Sequence, residues 1–320
     1  MVIRAIRLLF CIILFYSPLA YAQSTPAPDA WVLLEQAKTL IADRADPQLG
    51  EALDLLRRAI ETAGIFPEAE IVMAEIYFRE GALALAEDRL QKALEGSSSL
   101  RVPQDRYAIL YRLAGIYEIQ NRYYEMEKAL LAIVNEQAEF STAPASQRFR
   151  NAFLTAYLSR GLDHVLRLYR MDDASFALQA HAKLGWFYYR TGRFEPASIL
   201  HSLSALDIIV TESVQEIRLV NPTFEFSTLA GYLEVALKRE NIRGFLTESG
   251  FFGIAYHLGT ACRPAGHLSR AREIWGLLAG IRAEPELIGS YADLSRRQLQ
   301  APWVDPYINP SSREIEYPED

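Results

Sequence analysis

The stretch "LGWFYYRTGRFEPA", Leu184 to Ala197, places a small residue, an aromatic, a glycine and a second small residue at fixed intervals. Gly185 stands three positions before Tyr188, Gly192 four after it, and Ala197 five beyond that. The same order recurs in "MAEIYFREGALALA", where Ala74, Tyr77, Gly81 and Ala86 take the matching places. It recurs again in "LAGIYEIQNRYYEM" with Ala114, Tyr117, Asn121 and Met126, and in "LGTACRPAGHLSRA" with Gly259, Cys262, Gly266 and Ala271. In three of the copies a large apolar residue follows four positions on: Leu90, Leu130 and Trp275.

A recurring hairpin of two helices explains this spacing. Ala74, Ala114, Gly185 and Gly259 let two helices approach closely, and the aromatic or Cys three residues on fills the space beside that contact. Gly81, Asn121, Gly192 and Gly266 supply a left-handed residue that ends the first helix. Ala86, Ala197 and Ala271 let the second helix lie against the first. Around these copies Ala, Leu, Glu and Arg are plentiful, and no alternating run is long enough for a sheet.

The pattern resembles the tetratricopeptide repeat, a helix-turn-helix unit whose period is about 34 residues. The resemblance implies an all-α fold, a right-handed α-solenoid of helical hairpins. Clear copies fall near residues 67–100, 107–140, 178–211 and 252–285, with degenerate ones at 30–66, 147–174 and 212–250. Residues 285–300 read as a capping helix, so the expected array spans 30–300. The family's leading Trp is missing; His181 stands there in the best copy, and several terminal prolines are absent.

The ends read differently. "MVIRAIR" is basic, "LLFCIILFY" is apolar and "SPLAYA" closes on Ala20-Tyr21-Ala22, so residues 1–22 are expected to be a cleaved secretory signal. Nine apolar residues fall well short of the roughly 20 that span a bilayer. Cys11 raises the alternative of a lipid-anchored envelope protein, but it lies too early for a full apolar region to precede it. Residues 23–29 form a Pro-containing leader, and 301–320, with four prolines, an extended acidic tail. Losing Arg4 and Arg7 with the signal takes the formal charge from −7 to −9. Without a basic stripe, nucleic acid is not expected as a partner. Cys262 is then the one mature cysteine, which excludes an intramolecular disulfide.

Catalytic patterns are missing from the sequence. There is no glycine-rich phosphate loop, no G-x-S-x-G elbow and no H-E-x-x-H. His164, His181, His201, His257 and His267 lack metal-ligand spacing, so no metal or other cofactor is expected. Paired acids such as Glu125/Glu127 and Asp172/Asp173 read as solvated faces. Most members of the resembled family are non-catalytic, and no enzymatic activity is expected.

In the resembled fold the first helices line the concave side. Its expected groove residues are Phe78, Arg79, Tyr111, Arg112, Arg148, Asn151, Lys183, Trp186, Tyr189, Arg190, Tyr256 and Arg263. Aromatics and arginines on one face are the residue types that anchor interfaces. Trp186 has two readings open to it, the groove or the next repeat. The family's carboxylate clamp does not carry over, because Ile71, Glu75, Tyr111 and Gly115 stand where Lys and Asn are needed. The resulting expectation is a periplasmic protein-protein interaction scaffold that binds another protein or an extended peptide carrying acidic or C-terminal carboxylate groups. The alternative is a periplasmic transport accessory that encloses a small or apolar ligand.

Overall fold

The computed structural model describes residues 28–42, 48–174, 176–281 and 290–301. The expected signal, the leader up to residue 27 and the tail from 302 lie outside the described residues. Among those described every regular element is helical, so the chain is all-α. The helices are α1 (Pro28–Ala42), α2 (Leu49–Ala63), α3 (Pro67–Arg79), α4 (Leu83–Glu95), α5 (Asp105–Ile119), α6 (Tyr123–Val134), α7 (Pro144–Arg160) and α8 (Leu162–Leu168). Then come α9 (Leu178–Arg190), α10 (Ile199–Val220), α11 (Leu229–Ala236), α12 (Glu240–Glu248), α13 (Phe251–Cys262), α14 (Leu268–Gly280) and α15 (Tyr291–Gln300). Local chemistry sets several starts. Pro67 and Pro144 open α3 and α7, where a missing N–H costs nothing, and the Thr228 hydroxyl caps α11 by accepting from the Gly231 N–H at 3.1 Å.

Four turns share one backbone geometry. Gly81, Asn121, Gly192 and Gly266 hold φ of 75°, 59°, 73° and 87°, the left-handed region that glycine enters freely and asparagine tolerates. After each, the next N–H reaches back to the carbonyl of the motif aromatic or Cys. Ala82 to Tyr77, Arg122 to Tyr117, Arg193 to Tyr188 and His267 to Cys262 are all 2.8 Å. This six-residue closure ends a helix and reverses the chain, so α3 packs on α4, α5 on α6, α9 on α10 and α13 on α14.

One copy departs from the spacing at its second helix. The segment Phe194–Ser198 is π-type, with an extended residue at Glu195, and it absorbs one position before α10 begins. Ser198, not Ala197, is therefore fully buried against Gly185, donating its hydroxyl to the Gly185 carbonyl at 2.9 Å. Ser202, not His201, faces the missing Gly185 side chain. In the last copy the spacing is kept, and Trp275 and Ile274 meet Gly259 directly.

The hairpins contact one another in the order α1–α2, α3–α4, α5–α6, α9–α10, α13–α14, with α15 laid on α14 and α13. The segment expected as an in-line copy at 147–174 is not between its sequence neighbours. Instead α6 packs directly on α9, with the Tyr123 and Phe187 rings 5.8 Å apart. Helices α7 and α8 lie to one side. The Tyr157 hydroxyl is 3.3 Å from the Cys262 sulfur, Leu162 N donates to Glu273 at 3.0 Å, and Asp163 accepts from Leu229 N at 2.7 Å. Residues 212–250 do not form a separate hairpin from their start either, since α10 runs on to Val220. The reason is the makeup of α10. Leu206, Ile208, Ile209, Val210, Val214 and Ile217 are all buried, and a helix apolar on every side needs cover on every side. Helices α7, α8, α9, α12 and α13 supply it.

Of the stretch 285–300 read as a cap, residues 291–300 form helix α15, and 285–289 lie outside the described residues. One apolar core cluster covers α1–α3 and another runs from α3 to α14, with Tyr77 packed against both.

Candidate functional site

A cleft opens where α9 crosses the α5–α6 hairpin. It is lined by Glu118, Tyr123, Met126, Lys183, Trp186, Phe187, Arg190 and Thr191, with an empty volume of about 550 Å³ open to solvent. Lys183, Trp186, Phe187 and Arg190 reach it together because positions three, four and seven apart share a helix face. Lys183 Nζ lies 3.4 Å from Glu118 Oε2, a loose contact between two exposed groups, and the Arg190 guanidinium lies 5.8 Å from the Trp186 ring centre. Two cations against one carboxylate leave the lining net positive. Aromatic and thioether walls beside that charge suit an apolar group carried next to an anion.

Behind the cleft lies an aromatic layer. The Trp186 ring is 4.3 Å from His257 and 5.7 Å from Tyr189, and His257 is 4.9 Å from Tyr189 and 6.1 Å from Tyr291. Trp186 thus lines the cleft on one side and meets His257 of α13 on the other. Tyr189 and Tyr256 do not line a groove. Both are 0 % exposed, because His257 and Phe194 cover the first and α15, through Tyr291 and Gln298, the second.

The remaining expected site residues are dispersed. Phe78 is 47 % exposed at the end of α3, and Arg79 beside it pairs with Glu75 on its own helix at 2.5 Å. Arg112 is exposed on α5, and Arg263 is half-buried at the end of α13. Arg148 and Asn151 are exposed on the displaced α7, away from the cleft lining. Tyr111 is committed internally: its hydroxyl donates to the Phe176 carbonyl at 2.6 Å and accepts from Ala180 N at 3.0 Å. Burial raises its phenol above the ordinary range. Tyr123, Met126, Phe187 and Thr191 belong to the cleft but do not stand out in the sequence. Tyr123 and Met126 come from the preceding hairpin, and only the repeat phase between copies could have pointed to them.

Two ionisable clusters are buried near the cleft. His181 Nε2 meets the Gln137 side-chain oxygen at 2.8 Å, and His181 Nδ1 meets His201 Nδ1 at 2.8 Å. With the Gln137 oxygen accepting, His181 carries its proton on Nε2 and accepts at Nδ1 from His201. Burial holds both rings neutral, His201 at about 3 and His181 well below the usual imidazole value, each also feeling a neighbouring base. In the second cluster Tyr188 donates to Glu127 at 2.5 Å while Arg193 meets both Glu127 oxygens at 3.2 and 3.3 Å. Each reads as a packed network between hairpins. No group of three His, Cys, Asp or Glu placed to hold a metal ion occurs among the described residues.

The fold and the cleft define an all-helical protein in which helix pairs pack on one another and, among the described residues, an open recess joins aromatic side chains to two cations and one carboxylate. No family model matches the chain. It is similar to an uncharacterized protein of Borreliella burgdorferi, 24 % identical over 319 residues, covering 91 % of this chain and 96 % of that protein. It is also similar to an uncharacterized protein of Treponema pallidum, 25 % identical over 221 residues, covering 69 % of this chain and 59 % of that protein.

Proposed function

We propose that this chain is a non-catalytic interaction scaffold: a tetratricopeptide-like α-solenoid, exported to the cell envelope, that binds a segment of a partner protein in the cleft between α9 and the α5–α6 hairpin. The observation that carries the reading is that Lys183, Trp186 and Arg190, three surface-reaching residues the hairpin geometry does not require, meet in one open recess. The four turns of equal backbone geometry support the repeat reading. Periplasmic residence rests on residues 1–22 and on the lack of a cysteine pair, and both relatives come from bacteria. The partner segment would carry an apolar or aromatic side chain beside an acidic or terminal carboxylate, matching the two cations at the rim. An open, mixed lining favours a peptide over the enclosed apolar ligand of the transport-accessory alternative.

The test is site-specific cross-linking in the native envelope. A photoreactive residue in place of Arg190 should capture one discrete protein, and a Lys183→Glu/Arg190→Glu chain should lose that protein in a parallel pull-down while keeping its melting temperature. Equal recovery by wild type and variant would remove the cleft from the reading.

A further inference from the structure

Between α8 and α9 the chain crosses α10, and one carboxyl holds it there. Asp207, 0 % exposed, accepts from Met171 N at 2.6 Å through Oδ2, while Oδ1 has no hydrogen-bond partner among the described residues. The neighbouring carboxylates serve the same segment. Glu212 accepts from Asp173 N at 3.3 Å, and Asp173 accepts from Leu178 N, in the first turn of α9, at 2.8 Å. Tyr111 adds the bond from Ala180 N. The Met171 side chain is buried beneath, and Arg170 is held at φ 53°, a conformation a bulky side chain tolerates poorly and that packing must maintain.

We propose that residues 169–174 form a proton-linked latch whose seat on α10 is Asp207, tight when that carboxyl carries a proton and loosened when it ionises. A carboxylate buried with one oxygen unserved loses its hydration without full replacement, so its charged form favours any state that readmits water. In the opened segment the carboxyl is hydrated and ionises near its ordinary value of about 4. In the closed segment burial pushes Asp207 up to about 7, against the opposing pull of the Met171 and Arg170 amides and the Arg170 charge. The sign follows from linkage: the closed state binds the proton more tightly, so acid closes the latch. Opening increases by up to about tenfold per pH unit from about 4 to about 7 and then levels off.

The charges acting on Asp207 are Arg170 from the latch itself and Glu139 from the connection before α7. The buried residues that α7, α8, α9, α12 and α13 contribute around α10 carry no formal charge, with His181 held neutral. Asp173, also raised by burial and by Glu212 and Asp172, acts in the same direction as Asp207. Because the segment feeds the first turn of α9, the helix bearing Lys183, Trp186 and Arg190, the proton signal reaches the cleft helix directly.

Amide hydrogen exchange of the full chain tests this, read at Met171 and Asp173 at about pH 5 and about pH 7.5 and corrected for intrinsic rates, with amides in the middle of α10 as reference. The expected result is protection at least about tenfold higher at the lower pH for the latch amides alone. Asp207→Asn, which keeps a carbonyl for Met171 N, should reduce the difference to the smaller part that Asp173 supplies. Equal protection at both pH values in wild type, or a pH dependence undiminished in the variant, would overturn the latch. Should the variant fail to fold, carboxyl-carbon NMR of wild-type Asp207 decides: ionisation near the ordinary aspartate value would equally overturn it.

Discussion

Gly185 leaves no room for a side chain. A Cβ there would stand 2.6 Å from the Ser202 hydroxyl, 3.0 Å from Ser202 N and 3.3 Å from Ser202 Cα, and two of those three atoms are backbone. A flexible neighbour could move aside, but helix α10 cannot without breaking its burial. Gly185→Leu should therefore destabilise the protein by at least about 1–3 kcal/mol, the usual cost of overpacking, read as a lowered urea midpoint. An unchanged midpoint would mean that α9 and α10 do not cross at Gly185. Gly259, whose Cβ would meet the Trp275 indole and Ile274, marks the same crossing in another hairpin. The contact of Gly259 with Trp275 follows from the spacing in the sequence. The one-position slip that substitutes Ser202 for His201 does not, because it is made by the backbone of 194–198 and leaves no mark in composition.

Successive hairpins are held together by one recurring device. After three of the four left-handed turns, the next residue reaches back to the preceding hairpin. Arg122 pairs with Glu87 at 2.6 Å while stacking 4.5 Å over Tyr117, and Arg193 pairs with Glu127 while stacking 4.4 Å over Tyr188. His267 takes the same place and meets Glu195 at 2.7 Å, displaced because the second helix of that copy starts late. In the buried member of the set, Glu127 is nearly enclosed and Arg193 faces both of its oxygens. Arg193→Met should cost about 1–3 kcal/mol, and Glu127→Gln should cost less in the Arg193→Met background than alone. Additive effects in that thermodynamic cycle would show that the pair does not couple the hairpins. The Arg and Glu positions are visible in the sequence once the repeat phase is known. Their pairing is not, since Glu127 and Arg193 are separated by the whole of α7 and α8.

At the scale of the whole molecule, buried ionisable groups set how stability responds to acid. His201 and His257 are pushed down to about 3 and His181 well down, all by burial, so the folded protein keeps them neutral where the unfolded chain would protonate them. Their contribution to stability is present above about pH 6.5 and lost as pH falls towards 3. Asp207 works the other way: raised to about 7, it binds a proton in the folded state that the unfolded chain releases, and its contribution is lost as pH rises from about 4 to about 7. Three histidines outweigh this aspartate, so urea midpoints should climb from about pH 4 to about pH 6.5. Asp207→Asn, removing the opposing group, should make that climb steeper, and a flat profile in wild type would contradict the buried neutral histidines.

The sequence alone determined the helical class, the hairpin unit and its turns, because those depend on contacts within about 20 residues: a small residue against a small residue, a glycine at positive φ, an aromatic beside them. It also set Trp186, Tyr189 and Arg190 apart as residues the repeat spacing does not require, but of the twelve residues expected in the groove only Lys183, Trp186 and Arg190 line the cleft. Tertiary structure decided the rest. It moved 147–174 out of line, buried Tyr189 and Tyr256, brought Tyr123 and Met126 to the cleft and enclosed Asp207. Each of these rests on which hairpin packs against which, and that order is set by the burial demand of α10, an apolar surface satisfied by whichever helices cover it best rather than by those nearest along the chain.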